Sequence, residues 1–208
     1  ITPHNGICAN SKASAEIIAH ALPLVPFEGW TQQTLGKAAI AAGYKKTDAV
    51  RVFSGGAIDA VDAYSHIADM QMLEALAHYH LDSMKIRARI TTAVRLRLEL
   101  QAPHREAVRK AVAMHALPFY AHRGLHALYE TVDNIWYGIG DASTDFNFYS
   151  KRLTLAAVYS STLLIWLDDH SAGYEATWQF LDRRIEDVMK IEKAKFQLKS
   201  WFGKKMVG

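Results

Sequence analysis

Apolar residues recur at three- and four-residue spacings along almost the whole chain, and no run alternates apolar with polar between Asn-Gly or Asp-Gly turns. The pattern predicts an all-α fold, with helices over 14–22, 32–42, 46–53, 57–79, 85–100, 104–115, 118–137, 145–166, 172–189 and 191–206. Gly43, Gly55, Gly56, Pro103, Pro118, Gly138 and Gly140 punctuate the spaces between them. The helix opened by GDASTDFNFYSKR is apolar on two sides. Phe146, Tyr149, Leu153, Ala157, Leu164 and Leu167 follow one stripe, while Phe148, Leu155, Tyr159 and Trp166 follow another on the opposite side. One core does not readily bury both, so the second stripe calls for a central position in a bundle, a ligand, a subunit or a partner.

Half of the 208 residues are hydrophobic and about a fifth are charged, enough for one well-buried domain or a small domain fused to a larger one. A single cysteine, Cys8, excludes an internal disulfide framework and a cysteine-rich zinc site. The formal charge of +3 is unevenly placed: residues 190–208 carry six lysines against Glu192, a net +5, so the remainder sums to −2. The basicity belongs to the C-terminal stretch. The nearly apolar run from Leu153 to Leu167 contains Thr154, Ser160, Ser161 and Thr162 and ends at Asp168 and Asp169. It falls short of the roughly 20 residues of a membrane span. The chain begins at Ile1, and targeting is not legible in it.

GWTQQTLGKAAIAAGYKKTDAVRVF, residues 29–53, has the form of two short helices joined at a glycine turn and resembles the helix-turn-helix of TetR-type proteins. In a DNA reader Lys45, Lys46, Thr47 and Arg51 would be the contacting side chains. Only one arginine stands on that second helix, beside Asp48, so architecture without DNA binding is the favoured reading.

VDNIW (132–136), GDASTDFNFYSKR (140–152), the following Leu155, Tyr159 and Trp166, and TWQFLDRRI (177–185) together resemble the lipid-binding Coq-nine family of ubiquinone-biosynthesis accessory proteins. The resemblance runs from about residue 29 to 189. It implies a TetR-like fold, a homodimer, isoprenoid quinone lipids bound within the bundle, and assistance to the di-iron demethoxyubiquinone hydroxylase. It also implies a partner-binding patch at Asp133, Ile135, Trp136, Asp145 and Phe148, with Tyr149 and Arg152 alongside. Phe148 departs from the family's tryptophan, so any contact needing an indole N–H is lost there.

Helix faces give Met84, Val94, Leu117, Trp136, Leu155, Tyr159 and Trp166 as walls of the lipid pocket. In IEKAKFQLKSWFGKKMV, Ile191, Leu198, Trp201 and Phe202 share one helical side, with Lys199 and Lys204 flanking it, a pattern suited to a membrane interface. The family uses a C-terminal amphipathic helix in this way. These features divide the chain into a helix-turn-helix at 1–56, a lipid-binding bundle at 57–189 and a membrane-contact helix at 190–208. The resemblance implies a protein peripheral to the inner membrane, on the bacterial cytoplasmic or mitochondrial matrix side. No glutamate is followed three residues later by histidine, so the Glu-x-x-His motif of a di-iron bundle is missing. His122, His126 and Glu130 could share a face, but that spacing fits a solvated histidine face better than a metal site. The sequence thus supports neither a cofactor nor catalysis. The competing reading is a TetR-type transcriptional regulator with an apolar effector.

Overall fold

The computed structural model describes the backbone of residues 11–141 and 146–205 and the side chains of residues 12–141 and 148–190. Among these residues the chain is helical and no strand occurs. Helices α1 (Ser11–Ala21), α3 (Gln32–Ala41) and α4 (Lys46–Val52) pack on one another at the N-terminal end. Thr31 caps α3, its hydroxyl accepting from the Thr34 amide at 3.1 Å, and Gly43 turns the chain with φ +83°. The Asp48 carboxylate closes the start of α4 by accepting from the Lys45 amide at 2.9 Å. Ile17, Ile18, Leu35, Ala38, Ala39, Ala49 and Phe53 form the core of this unit.

A four-residue helix, α2 (Val25–Glu28), intervenes between α1 and α3 and was not expected. Its start is set by Pro26 in the first turn and its end by Gly29 at φ +74°, a pair of signals too short to leave a periodicity. Behind it, Trp30 donates its indole N–H to the Ala107 carbonyl at 3.0 Å and packs on Tyr64, with ring centroids 5.4 Å apart. This joins the N-terminal unit to the bundle.

The bundle comprises α5 (Ala57–Leu76), α6 (Ile86–Glu99), α7 (Arg105–His115), α8 (Ala121–Gly138), α9 (Phe146–Asp168) and α10 (Glu175–Lys205). Its core is built on Met72, Val94, Leu98, Ile135, Trp166 and Leu181. The long helix α5 serves both cores, the N-terminal one through Val61 and Tyr64 and the bundle through Met72 and Leu76. Pro118 does not start α8: the backbone turns through residues 118–120 first. The expected break between residues 189 and 191 is also replaced by continuous helix. No glycine or proline interrupts 175–202, and Lys190 pairs with Glu186 at 3.0 Å across one turn. Residue 190 therefore lies inside α10. No helix among the described residues is long and apolar enough to cross a membrane.

Asp169 organises the α9–α10 joint. Its carboxylate accepts from the Ser171 amide and hydroxyl at 2.8 and 2.6 Å and from the Thr177 amide and hydroxyl at 2.8 and 2.6 Å. Burial alone would raise its pKa, but these bonds outweigh it and hold the carboxyl well below the usual range. Because the folded-state pKa is depressed, the stability involved is whole above about pH 4 and is lost as pH falls below that value. Asp169→Asn should cost about 2 kcal/mol at pH 7. Urea unfolding of this variant should also change less between pH 7 and pH 3 than that of the wild type. Equal pH dependence in the two proteins would refute the assignment.

Candidate functional site

The two stripes of α9 have different fates. Leu155, Tyr159 and Trp166 are buried in the bundle, whereas Tyr149 and Leu153 are 68% and 76% exposed and Leu164 is also exposed. Leu167, at the end of the outward stripe, is covered because α7 crosses there: Arg109 donates to the Leu167 carbonyl and, at 2.8 Å, to the Asp168 carboxylate. Positive side chains at a helix C-terminus also suit its dipole.

The partner-patch residues separate in the same manner. Asp133 is half-buried and accepts from Arg152 Nε at 2.6 Å. Arg152 is itself buried, its guanidinium 3.3 Å from the centroid of the half-buried Phe148 ring. Ile135 and Trp136 are core residues, contrary to their expected place on a surface, because they project toward α5 and α9 rather than along the outer side of α8. Asp145 lies outside the described residues. The outer side of α8 instead exposes Tyr137, at 76%, which sequence reasoning passed over although it directly follows Trp136. Tyr137, Tyr149 and Leu153 are thus the exposed apolar residues of this region. The backbone at Ile191, Leu198, Lys199, Trp201, Phe202 and Lys204 belongs to α10, and their side chains lie outside the described residues.

Two apolar-walled cavities open behind these helices. The larger, about 430 Å³, lies among α5, α6, α7, α8 and α9, and Tyr159 and Trp166 line it. The smaller, about 240 Å³, lies among α6, α8, α9 and α10, and Trp136 and Leu155 line it. The expected lipid-pocket residues therefore fall into two groups rather than one wall. Val94 packs in the bundle core and lines neither cavity. Met84 precedes α6 and Leu117 sits exposed after α7, so both stand off the faces that enclose these spaces.

One side of the larger cavity is polar, which helix faces did not reveal. Arg97 Nε donates to Asp69 Oδ1 at 2.6 Å, and Thr131 donates to the same carboxylate at 2.9 and 3.0 Å. Tyr64 donates to Gln101 Oε1 at 2.6 Å, and Gln101 Nε2 to Gln71 Oε1 at 2.9 Å. Desolvation works against the Arg97 charge, yet the ion pair with the Asp69 carboxylate offsets it, so Arg97 remains a cation. Burial pushes the Tyr64 and Tyr159 phenols up, keeping both protonated. The available signal was Asp69 itself, a carboxylate on the same side of α5 as Met72 and Leu76.

Elsewhere, Lys45, Lys46, Thr47 and Arg51 are exposed around α4, but Arg51 donates to Asp48 at 3.1 Å. His126 pairs with Glu130 at 3.5 Å on a solvent-facing side of α8, and His122 is exposed nearby.

The COQ9 family model matches residues 121–192, the stretch that holds α8, α9 and the start of α10. The rat mitochondrial ubiquinone biosynthesis protein COQ9 is 32% identical over 192 residues, covering 88% of this chain and 61% of its own. The human protein of that name is 29% identical over 191 residues, covering 88% of this chain and 60% of its own. The chain thus spans about three-fifths of the length of these relatives. A TetR transcriptional regulator from Nitrosomonas europaea superposes with a TM-score of 0.67 at 19% identity, covering 83% of this chain and 95% of its own, and so shares its fold. With its matched stretch at residues 121–192 and its similarity to these proteins over most of its own length, this all-α, TetR-like chain is similar to the COQ9 proteins of ubiquinone biosynthesis.

Proposed function

We propose that the chain is a non-enzymatic, lipid-binding accessory of ubiquinone biosynthesis that holds isoprenoid quinone intermediates in its bundle and presents them to the demethoxyubiquinone hydroxylase. The observation that carries this reading is the pair of apolar-walled cavities in a bundle whose helices α8 and α9 also expose the apolar residues Tyr137, Tyr149 and Leu153. A polyprenyl tail resists water by roughly 0.8 kcal/mol per CH₂, so a protein-lined space lowers the cost of bringing the quinone head out of a bilayer. On this reading α9 has two roles. Leu155 and Val158 wall the smaller cavity from inside, while the exposed Tyr149 and Leu153, with Tyr137 of α8, meet the di-iron partner. Asp133, Phe148 and Arg152 hold this region in shape through their ion pair and stacking.

The proposal extends to a homodimer and to membrane contact through the end of α10, where Ile191, Leu198, Trp201 and Phe202 would enter the interface and Lys199 and Lys204 would meet anionic headgroups. It places the protein peripheral to an inner membrane, on the matrix side if its compartment is that of the relatives named mitochondrial.

Co-purification with the hydroxylase tests the partner surface. The double variant Tyr149→Glu/Leu153→Glu changes only exposed positions and should stay within about 0.5 kcal/mol per site of wild-type stability. It should nevertheless bind the hydroxylase at least about tenfold more weakly, a loss of roughly 1.4 kcal/mol. A folded variant that retained the full complex would refute this docking surface. The exposed lysines of α4 keep a second reading in view, that of a regulator. It predicts a salt-dependent operator complex weakened by Lys46→Ala or Arg51→Ala. Failure of the wild type to shift any operator in a genomic selection would end it.

A further inference from the structure

Of the residues that line the larger cavity, Ala116 and Leu125 are the exposed ones, Leu125 at 68%, so the cavity reaches the surface where α7 gives way to α8. The chain is drawn tight at this corner. A Cβ at Gly124 would meet the His115 Cβ at 2.9 Å and the His115 carbonyl at 3.2 Å, a separation that only glycine permits. Arg123 and His115 tie the corner to α5: Arg123 donates to Asp59 at 2.7 Å and to Asp62 at 2.6 Å, and His115 Nε2 lies 2.7 Å from the Asp62 carboxylate. The mouth of the cavity is therefore a built feature of the fold.

Its rim is apolar. Leu117, Phe119, Leu125 and Tyr129 are all exposed, Phe119 at 81%. Leu117 and Phe119 stand between the lining residues Ala116 and Ala121, and Leu125 and Tyr129 lie one turn apart on α8. Phe119 meets the edge of Tyr120, with centroids 5.2 Å apart, and Tyr120 packs on the N-terminal core, so the turn is anchored behind its exposed tip. The backbone of the turn also suits an apolar medium. The amides of Ala116, Leu117 and Tyr120 donate to the carbonyls of Val112, Met114 and Leu117 at 3.0, 3.2 and 2.8 Å, and Pro118 has no N–H to satisfy. From residue 107 to 129 the chain holds no carboxylate, and Asp59 and Asp62, which reach the corner from α5, are both paired with Arg123, so neither repels a phospholipid surface. Four apolar side chains fall well short of the about 20–30 residues a side of a stable protein interface. An interfacial lipid contact needs only a few such tips.

We infer that the α7–α8 corner is the bilayer-facing mouth of the larger cavity: Leu117 and Phe119 enter the membrane interface, and an apolar chain passes Leu125 into the bundle without crossing water. This rests on the lipid-binding proposal and deepens it by naming the route by which the cavity loads, a route separate from the contact made by α10. The physical gain is kinetic. Each CH₂ that a lipid exposes to water on its way out of a bilayer adds to the barrier, and a mouth seated in the interface removes that step. Leu117, which helix faces put on the pocket wall, takes its place on the rim instead.

The test mixes the whole chain with phosphatidylcholine vesicles that carry a long-chain ubiquinone, floats the vesicles away, and follows with time the quinone left with the protein. Wild type, Leu117→Ser/Phe119→Ser and the control Phe27→Ser are compared, each checked for its fold by circular dichroism. Phe27 is exposed on α2 and lines neither cavity. Calorimetric titration with a water-soluble short-chain ubiquinone analogue reads the cavity without a membrane, and sedimentation reads the oligomeric state. In the double variant transfer from vesicles should slow at least about tenfold while affinity for the short-chain analogue stays within about twofold, and Phe27→Ser should match wild type in both. Wild-type transfer by the double variant overturns the mouth and leaves lipid binding standing. An equal loss of short-chain affinity makes the corner a wall of the cavity and overturns the bilayer assignment. Equal slowing in Phe27→Ser, or unchanged transfer with loss of a dimer, overturns it too, the latter by assigning the corner to a second copy. No uptake of either quinone by wild type overturns both the mouth and the lipid-binding proposal.

Discussion

Asp69→Ala is expected to destabilise the protein by about 3–5 kcal/mol, seen as a fall in Tm of roughly 10–15 °C. The size follows from what remains behind. Arg97 is almost completely buried, and its guanidinium stays charged at any pH the fold tolerates. Without Asp69 its remaining acceptor among the described residues is the Ser65 carbonyl, at 3.3 Å, while Thr131 loses the acceptor for its hydroxyl. Replacing both charges, as Asp69→Leu with Arg97→Met, should recover most of the loss, because a well-packed apolar pair often equals a buried ion pair. Thermal and urea unfolding of the two variants decide the matter. A loss below about 1 kcal/mol in Asp69→Ala would show that water reaches Arg97 and would refute its burial as an ion pair.

That buried pair marks the border of what was legible in the sequence. The helices and the TetR-like order could be read because a 3.6-residue period repeats across long segments, and the two faces of α9 were visible for the same reason. Which face points inward was not. Tyr149 and Trp166 are both large and apolar in sequence, and only the packing of α6, α7, α8 and α10 against α9 decides that one is exposed and the other sealed. The family resemblance marked the VDNIW segment, yet a contiguous motif on a helix places successive residues about 100° apart. Asp133 and Tyr137 accordingly reach the outside while Ile135 and Trp136 turn inward. The cavity walls were the least legible element, since α5, α6, α7, α8 and α9 each contribute a few side chains from positions distant in sequence.

Trp136→Lys should therefore unfold or severely destabilise the chain, by at least about 3–5 kcal/mol, instead of removing a surface contact. Trp136 is only 6% exposed and packs in the bundle core. Its truncation alone belongs to the class of large-to-small aromatic changes costing that amount, and the new ammonium would lie beside Lys151, whose Nζ is 5.4 Å from the Trp136 ring centroid. Trp136→Phe is the informative contrast. The indole N–H has no acceptor among the described residues, so its removal costs no hydrogen bond and only the lost ring volume remains, about 1–2 kcal/mol. Circular dichroism melts should rank the proteins as wild type, Trp136→Phe, then Trp136→Lys far below. A Trp136→Lys protein that melted within a few degrees of wild type would mean that this side chain swings to the surface, and position 136 would then return to the docking strip beside Tyr137. With the expected ranking, loss of a hydroxylase complex in Trp136→Lys reports the collapse of the bundle. The proposed partner contact would then be tested with folded variants of the exposed residues Tyr137, Tyr149 and Leu153.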